Sequence, residues 1–226
     1  MIRGAGIGKR HESCTFKSFI VGPNRAAVSA CRRVAAGTSG GVILFGPVGR
    51  GKTYLLAALA KEFDARVSVR PIDEPDPSEP MPSVRELIEQ CDEGDDAAPR
   101  LESREVEHEA RVEFWPVLDL VSELRAEMKT GELTLSQRCR TCDLLVLDDL
   151  GQERVTDFVL EEIERIIDWR YRNVLPIAVS TNLSIEQMTS PERYGERAIS
   201  RWAESCEMVK LGGPDRRKIS AMEDPT

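Results

Sequence analysis

Short apolar runs alternate with amphipathic segments along much of this chain. Apolar residues fill Gly41 to Phe45, Leu144 to Leu147 and Leu175 to Ser180, and polar residues follow each run. This pattern predicts buried strands. Tyr54 to Phe63 and Asp157 to Arg172 instead repeat their apolar residues at the spacing of an amphipathic helix. Strands that alternate with helices predict a mostly parallel sheet with helices on both faces.

One more strand and one more helix complete the predicted core. Val112 to Trp115 fits a strand, and Pro116 to Lys129 carries apolar residues at helical spacing. The predicted fold class is therefore α/β, with three layers and a parallel sheet of about five strands. We expect a single domain over residues 14–226, preceded by a short N-terminal tail of residues 1–13.

An acidic, proline-rich stretch interrupts this pattern at about residues 66–111. Pro71 to Pro82 holds five prolines among acidic residues, a composition that excludes an interior strand or helix. A short helix is predicted behind it at Ser83 to Cys91. We interpret the stretch as an insertion, either a tolerated surface loop or a partner-binding arm.

Charge and composition restrict the function classes. The net charge is −8, but residues 73–113 carry 15 acidic and 4 basic residues, so the rest of the chain carries +3. That remainder permits contact with DNA without requiring it. No run approaches the roughly 20 apolar residues of a membrane span, and we expect a cytoplasmic protein with no membrane association.

Six cysteines are too sparse for a disulfide scaffold, and we expect reduced thiols. Cys139 and Cys142 form one C-x-x-C without a second such pair. Two ordinary cysteines beside a strand are therefore favoured over a metal site.

A phosphate-binding motif lies between the first predicted strand and helix. Gly46 to Thr53 reads GPVGRGKT and fits G-x-x-x-x-G-K-[ST]. Glycines let backbone N–H groups face phosphates, and a helix N-terminus attracts anions. We expect ATP here, with Lys52 at the β- and γ-phosphates and Thr53 on Mg²⁺; a glycine turn with an incidental lysine is the alternative. The other candidate nucleotide contacts are Gly46, Pro47, Val48, Gly49, Arg50, Gly51 and Tyr54.

Two further candidate sites follow buried strands. In LLVLDDLG, we expect Asp148 to hold magnesium, directly or through water, and Asp149 to orient or activate the attacking water. Two helix-capping aspartates are the alternative. Asn182 follows the next strand; alone it would be a turn residue, but the order of the motifs favours contact with the γ-phosphate or the attacking water.

The motifs, in their order, resemble the AAA+ core of DnaC/IstB-type ATPases. The resemblance rests on TFKSFIVGPNRAAVSAC, GPVGRGKT, LLVLDDLG, IIDWRYRNVLPIAVSTNLS and YGERAISRWAESCEMVKLGGPDRRK. It covers roughly residues 14–65 and 112–218. It implies a P-loop NTPase fold, and we expect little or no helical lid after Lys218.

The resemblance also implies residue roles. Asn182 matches sensor 1, and the segment from Phe16 to Asn24 matches the region near the adenine. Arg197 and Arg201 share a helix face because they are four residues apart, and one of them matches the arginine finger that reaches a neighbouring subunit. Arg217 matches a sensor-2-like contact.

The implied activity is ATP hydrolysis, slow or DNA-stimulated, by a homo-oligomer that acts on DNA with a partner protein. A replicative helicase loader is the leading interpretation. A transposition helper that works with a transposase, and an ATP-switched adaptor with little hydrolysis, stay open. Asp149 favours the adaptor hypothesis, since many AAA+ proteins have the longer glutamate at this position. A small-molecule kinase is disfavoured because paired aspartates and a following asparagine fit hydrolysis better.

Overall fold

The computed structural model describes residues 2–67, 111–131 and 134–216 of the 226-residue chain. Most of the predicted insertion, including the helix predicted at Ser83 to Cys91, lies outside the described residues. So do Arg217 and the region after Lys218.

A six-stranded sheet forms the centre of the molecule, and every pair of neighbouring strands is parallel. Its strands are β1 (Ile2–Gly4), β2 (Gly41–Phe45), β3 (Val112–Pro116), β4 (Leu144–Leu150), β5 (Ile177–Thr181) and β6 (Glu207–Lys210). They lie in the order β1-β3-β4-β5-β2-β6. The strand that enters the glycine-rich motif is thus flanked by β5 and β6.

Seven α-helices are formed by the described residues. They are α1 (Arg25–Ala35), α2 (Lys52–Val67), α3 (Val117–Thr130), α4 (Thr134–Thr141), α5 (Asp157–Arg172), α6 (Ile185–Thr189) and α7 (Gly195–Ser205). Helix α5 begins and ends where the apolar spacing predicts, and the Thr156 hydroxyl caps it by accepting the Val159 N–H. Within the described ranges, no helix combines the length and apolarity needed to cross a membrane.

Helices cover both faces of the sheet. Because side chains alternate along a strand, Val42 and Leu44 pack with α1 and α2, whereas Ile43 packs with the layer that contains α3, α5 and α7. All three side chains are fully buried. The predicted three-layer α/β fold is confirmed, with six strands where about five were expected.

The two edge strands carry little sequence signal. Ile2–Gly4, which we assigned to the N-terminal tail, pairs with Val112–Phe114 of β3, but three residues are too short to show an alternating pattern. Glu207–Lys210 is only half-buried, so it lacks the continuous apolar run of an interior strand. Pairing with β2 places it in the sheet.

The carboxyl ends of β2, β4 and β5 meet at one edge of the sheet, as parallel strands require. The β4–β5 register shifts between Leu147 and Leu150. Within this irregularity Asp149 adopts a left-handed conformation, with φ of 58°, which is uncommon outside glycine. The shift places two consecutive aspartates at the edge where the glycine-rich loop lies.

Candidate functional site

The loop from Gly46 to Gly51 leaves β2 and enters α2 at Lys52. Gly51 has φ of +91°, and a Cβ at this position would lie 2.9 Å from Cε2 of Phe19. The loop therefore takes a path that a residue with a side chain would strain. It leads into the N-terminus of a 16-residue helix, where unpaired backbone N–H groups favour an anion.

The Lys52 side chain is held inside this loop and is only 5% exposed. Its Nζ donates to the carbonyl oxygens of Gly46 at 2.7 Å and Pro47 at 2.9 Å. A third bond, of 2.7 Å, goes to Oδ1 of Asn182. The structure thus brings together two candidate residues that lie 130 positions apart.

Asp148 faces the start of α2. Its Oδ1 accepts hydrogen bonds from Oγ1 of Thr53 at 3.1 Å and from Oγ of Ser180 at 2.5 Å. Burial is the main cause that raises the pKa of Asp148, and the neighbouring Asp149 adds to it. A nearby cation would stabilise the charged carboxylate. Carboxylate and hydroxyl oxygens suit Mg²⁺, so this pair fits the expected metal.

Ser180 contacts both aspartates. Besides donating to Asp148, its Oγ accepts the backbone N–H of Asp149 at 2.9 Å. The serine is fully buried and therefore fixes the two aspartates relative to each other. Ser180 was not among the residues predicted from the sequence; the available signal was a polar residue at the end of the apolar run LPIAVS.

Asn182 follows β5 and is fixed by its neighbours. The Thr181 hydroxyl donates to the carbonyl of Leu150 at 2.6 Å and accepts the N–H of Leu183 at 3.1 Å. These bonds hold the segment that carries Asn182 against the end of β4. Its amide oxygen is thereby presented to Lys52.

Arg50 offers donors for a ligand that is rich in oxygen acceptors. Its Nε and Nη1 are buried and have no hydrogen-bond partner among the described residues. A buried donor without a partner is costly. Because Arg50 belongs to the glycine-rich loop, phosphate oxygens fit this guanidinium.

The segment from Phe16 to Asn24 lies beside the loop. The Phe19 ring packs against Tyr54, with centroids 5.4 Å apart, and the guanidinium of Arg216 lies 3.8 Å from the Phe19 ring centroid. The backbone N–H of Arg216 also donates to the carbonyl of Gly49 at 2.9 Å. Arg216, which was not among the residues predicted from the sequence, therefore lies beside the loop. The contact predicted for Arg217 falls outside the described residues and stays a prediction.

The two arginines of α7 are not brought to the loop. Arg201 forms an ion pair with Asp168 of α5, and its guanidinium lies 5.8 Å from the centroid of the Tyr171 ring. Arg197 is exposed and makes no hydrogen bond or ion pair with any described residue. Within the described residues, neither side chain has a hydrogen bond or ion pair with the glycine-rich loop or with Lys52.

The C-x-x-C pair lies inside the core. Cys139 and Cys142 are buried, and burial raises the pKa of both thiols. Nη1 of Arg170 donates to both cysteine carbonyls at 2.9 Å and to Sγ of Cys142 at 3.2 Å. No cluster of histidine, cysteine or acidic residues that could hold a metal ion occurs in the described parts of the chain.

Comparison with known proteins yields one family model and several relatives. Residues 10–70 match the model for the bacterial DnaA ATPase domain. The chain is 45% identical over 69 residues to the chromosomal replication initiator protein DnaA of Cereibacter sphaeroides, covering 29% of this chain and 14% of that protein. The chain spans 12% to 35% of the length of the curated relatives it matches.

Solved structures resemble the whole described fold. A DnaC helicase loader has a TM-score of 0.62 at 23% identity, covering 90% of this chain and 99% of that one. A replication initiator DnaA bound to AMPPCP and single-stranded DNA has a TM-score of 0.65 at 19% identity, covering 96% and 55%. At these identities the likeness establishes the fold.

Proposed function

From the fold that this chain shares with DnaC- and DnaA-type AAA+ ATPases, we propose that it binds ATP with magnesium, hydrolyses ATP, and acts as an oligomer on DNA. The observation that carries the proposal is the convergence of Lys52, Thr53, Asp148 and Asn182 at one edge of the sheet. The alternative, a glycine turn with an incidental lysine, gives no reason for a buried carboxylate and an amide to lie at the same edge.

Each side chain has a role in this proposal. Lys52 moves from the loop carbonyls to the β- and γ-phosphates, and Arg50 donates to phosphate oxygens. Thr53 and Asp148 hold magnesium, which supplies positive charge that neutralises the transferred phosphoryl group. Asp149 then orients the attacking water.

Asn182 belongs to the same proposal. Its amide oxygen accepts from Lys52 in the structure, so a phosphate that draws Lys52 away releases this amide. The released amide then contacts the γ-phosphate or the attacking water. Asn182 thereby distinguishes the bound state from the free one.

Hydrolysis is tested by measuring ATP turnover with and without single-stranded DNA, with protein concentration varied over about a hundredfold. Lys52→Ala is the blank, since it removes the ammonium without touching Asp148. Turnover that rises with concentration and with DNA, and vanishes in the blank, supports an assembling ATPase. Turnover that is the same in the blank refutes the site.

One of Arg197 and Arg201 reaches a neighbouring subunit's γ-phosphate in this proposal. Arg197 is available as it stands, whereas Arg201 must first leave Asp168. Each arginine is replaced by alanine and mixed with Lys52→Ala. The variant whose turnover recovers in the mixture identifies the finger, because the Lys52→Ala subunit still supplies the missing arginine. Asp168→Asn controls for loss of the ion pair alone.

A replicative helicase loader is the role we propose, in the cytoplasm, where DNA and ATP are both accessible. The relatives named above support replication over transposition, since their names are those of a replication initiator and a helicase loader. Nucleotide-dependent binding to a replicative helicase is the expected result in a pull-down with a slowly hydrolysed ATP analogue. Binding to a transposase instead would refute the replication role.

An ATP-switched adaptor is the second candidate, and it is favoured by Asp149. Its backbone N–H is held by Ser180 in a left-handed conformation, and its side chain is one carbon shorter than the glutamate of many AAA+ proteins. Asp149→Asn separates the two candidates. The adaptor keeps its partner binding and its low turnover, whereas the loader loses turnover and activity together.

A further inference from the structure

A buried carboxylate outside the nucleotide site joins two regions of the proposed mechanism. Glu153 is 4% exposed and lies just after β4. One carboxylate oxygen accepts the backbone N–H of Gly151 at 2.8 Å, and the other accepts the hydroxyl of Tyr194 at 2.5 Å. Tyr194 is the residue that precedes α7. Glu153 therefore connects residues 149–153, which comprise the last two residues of β4 and the loop that follows it and are called the loop of residues 149–153 below, to the helix that carries Arg197 and Arg201.

The loop of residues 149–153 is tied to the nucleotide site at its other end. The carbonyl of Leu150 accepts the hydroxyl of Thr181, which directly precedes Asn182. A Cβ on Gly151 would lie 2.5 Å from Cδ1 of Leu183, so this backbone packs tightly against the residue after Asn182. The segment that carries Asn182 is therefore in direct contact with the loop.

The start of α7 is held by the same loop. Nη1 of Arg193 donates to the carbonyl of Gly151 at 3.3 Å. Burial, with the Glu153 carboxylate beside it, raises the pKa of Tyr194, so its hydroxyl keeps its proton and donates. The Tyr194 ring also packs against Trp202, with centroids 6.0 Å apart. Arg197 follows Tyr194 by three residues, about one helical turn.

We propose that Glu153 is a positioning residue through which the nucleotide state of the site changes how α7 presents Arg197 and Arg201 to a second copy of the chain. This inference rests on the proposed function. A γ-phosphate that draws Lys52 away from Asn182 shifts the segment held against residues 149–153. Since a buried, charge-assisted hydrogen bond is not readily exchanged for water, the shift reaches Tyr194 and turns the first turn of α7.

The sharpest test removes one hydroxyl. Tyr194→Phe keeps the ring against Trp202 and deletes the bond to Glu153. Tyr171→Phe is the matched control, since it deletes a hydroxyl that donates to a glutamate at 2.7 Å, that of Glu204. That bond joins α5 to α7 and does not involve the loop. Hydrogen exchange is measured by mass spectrometry on the full chain, with and without magnesium and a slowly hydrolysed ATP analogue.

In the unmodified protein and in Tyr171→Phe, the analogue is expected to slow exchange both in residues 149–153 and in residues 195–199. In Tyr194→Phe, the analogue is still expected to slow exchange in the loop. The slowing in α7 should be at least about fivefold weaker than in the unmodified protein, because a charge-assisted hydrogen bond has been lost. Glu153→Gln is the second variant and should give the same pattern. Equal slowing of α7 in both variants, or no response of α7 in the unmodified protein, overturns the proposal.

Turnover provides the second readout. Tyr194→Phe is expected to bind ATP within about twofold of the unmodified protein, while its concentration-stimulated turnover falls roughly tenfold. Unchanged stimulated turnover would overturn the coupling and leave the proposed ATPase standing. Absence of turnover and assembly in the unmodified protein would instead refute the proposed function, and the exchange measurement would still decide whether Glu153 couples the two regions.

Discussion

Replacing Ser180 by alanine removes the hydroxyl that contacts both aspartates of the site. The Asp148 carboxylate loses a donor at 2.5 Å, and the Asp149 N–H loses its acceptor at 2.9 Å. A hydrogen bond to a charged group contributes about 1.5–3 kcal/mol, and a buried donor left without a partner costs about 1–3 kcal/mol. Allowing for overlap between the two effects, we expect the free energy of unfolding to fall by about 2–4 kcal/mol.

The effect on chemistry should exceed the effect on stability. At 25 °C the variant stays folded if its starting stability is typical of a domain, about 5–15 kcal/mol. With Asp148 and Asp149 no longer fixed relative to each other, turnover per folded molecule should drop about ten- to hundredfold, the range that a misplaced catalytic group produces. Thermal unfolding and steady-state ATP hydrolysis measure the two effects separately.

Ser136→Ala is the matched control for this prediction. Ser136 is also buried, at 2% exposure, and donates to the Glu162 carboxylate at 2.9 Å across the contact between α4 and α5. It should lose stability by about 1–3 kcal/mol and keep its turnover. If Ser180→Ala hydrolyses ATP as fast as Ser136→Ala does, Ser180 does not position the aspartates.

Three further substitutions test other parts of the structure. Gly51→Ala should abolish ATP binding in a titration with fluorescent ATP, because its Cβ would meet Phe19 at 2.9 Å. Gly37→Ala is the control: Gly37 has φ of +70° and open space around it, so this substitution should cost only about 1–2 kcal/mol of stability and leave ATP binding intact. Val174→Gly should raise the free energy of unfolding by about 0.5–1 kcal/mol, because Val174 has φ of 53° and is 82% exposed; a lower melting temperature would contradict this. Arg170→Met should lower the urea midpoint by an amount equivalent to about 3–5 kcal/mol, since four backbone carbonyls lose their donor; an unchanged midpoint would show that water replaces the guanidinium.

The interior of the fold was predictable because its strands are buried on both faces. Gly41–Phe45 and Leu144–Leu147 read as unbroken apolar runs, and such runs need no knowledge of their partners. The edge strands were not predictable, since Ile2–Gly4 and Glu207–Lys210 become strands only by pairing with β3 and β2. Helix α1 was also missed, although Asn24 precedes it and its buried residues Val28, Cys31 and Val34 recur at helical spacing.

Within the candidate site, the motif residues were predictable and their supports were not. Lys52, Asp148 and Asn182 each follow a strand at a recognisable position in the sequence. Ser180 and Glu153 act through partners that are set by the folded chain, 31 or 32 residues away for Ser180 and 41 for Glu153 on Tyr194. A single sequence contains no trace of such pairings.

The side-chain amide of Asn24 links the two ends of the described fold. It donates to the Gly212 carbonyl and accepts the Gly212 N–H, across 188 residues of chain. The Phe19 side of the nucleotide pocket thus closes only when a very distant segment has arrived, and contacts of such long sequence separation form slowly. A ribosome must have released nearly all of the described chain before the pocket exists. A nucleotide would therefore bind the finished fold and not its precursors, adding stability that grows with the logarithm of its concentration above the dissociation constant.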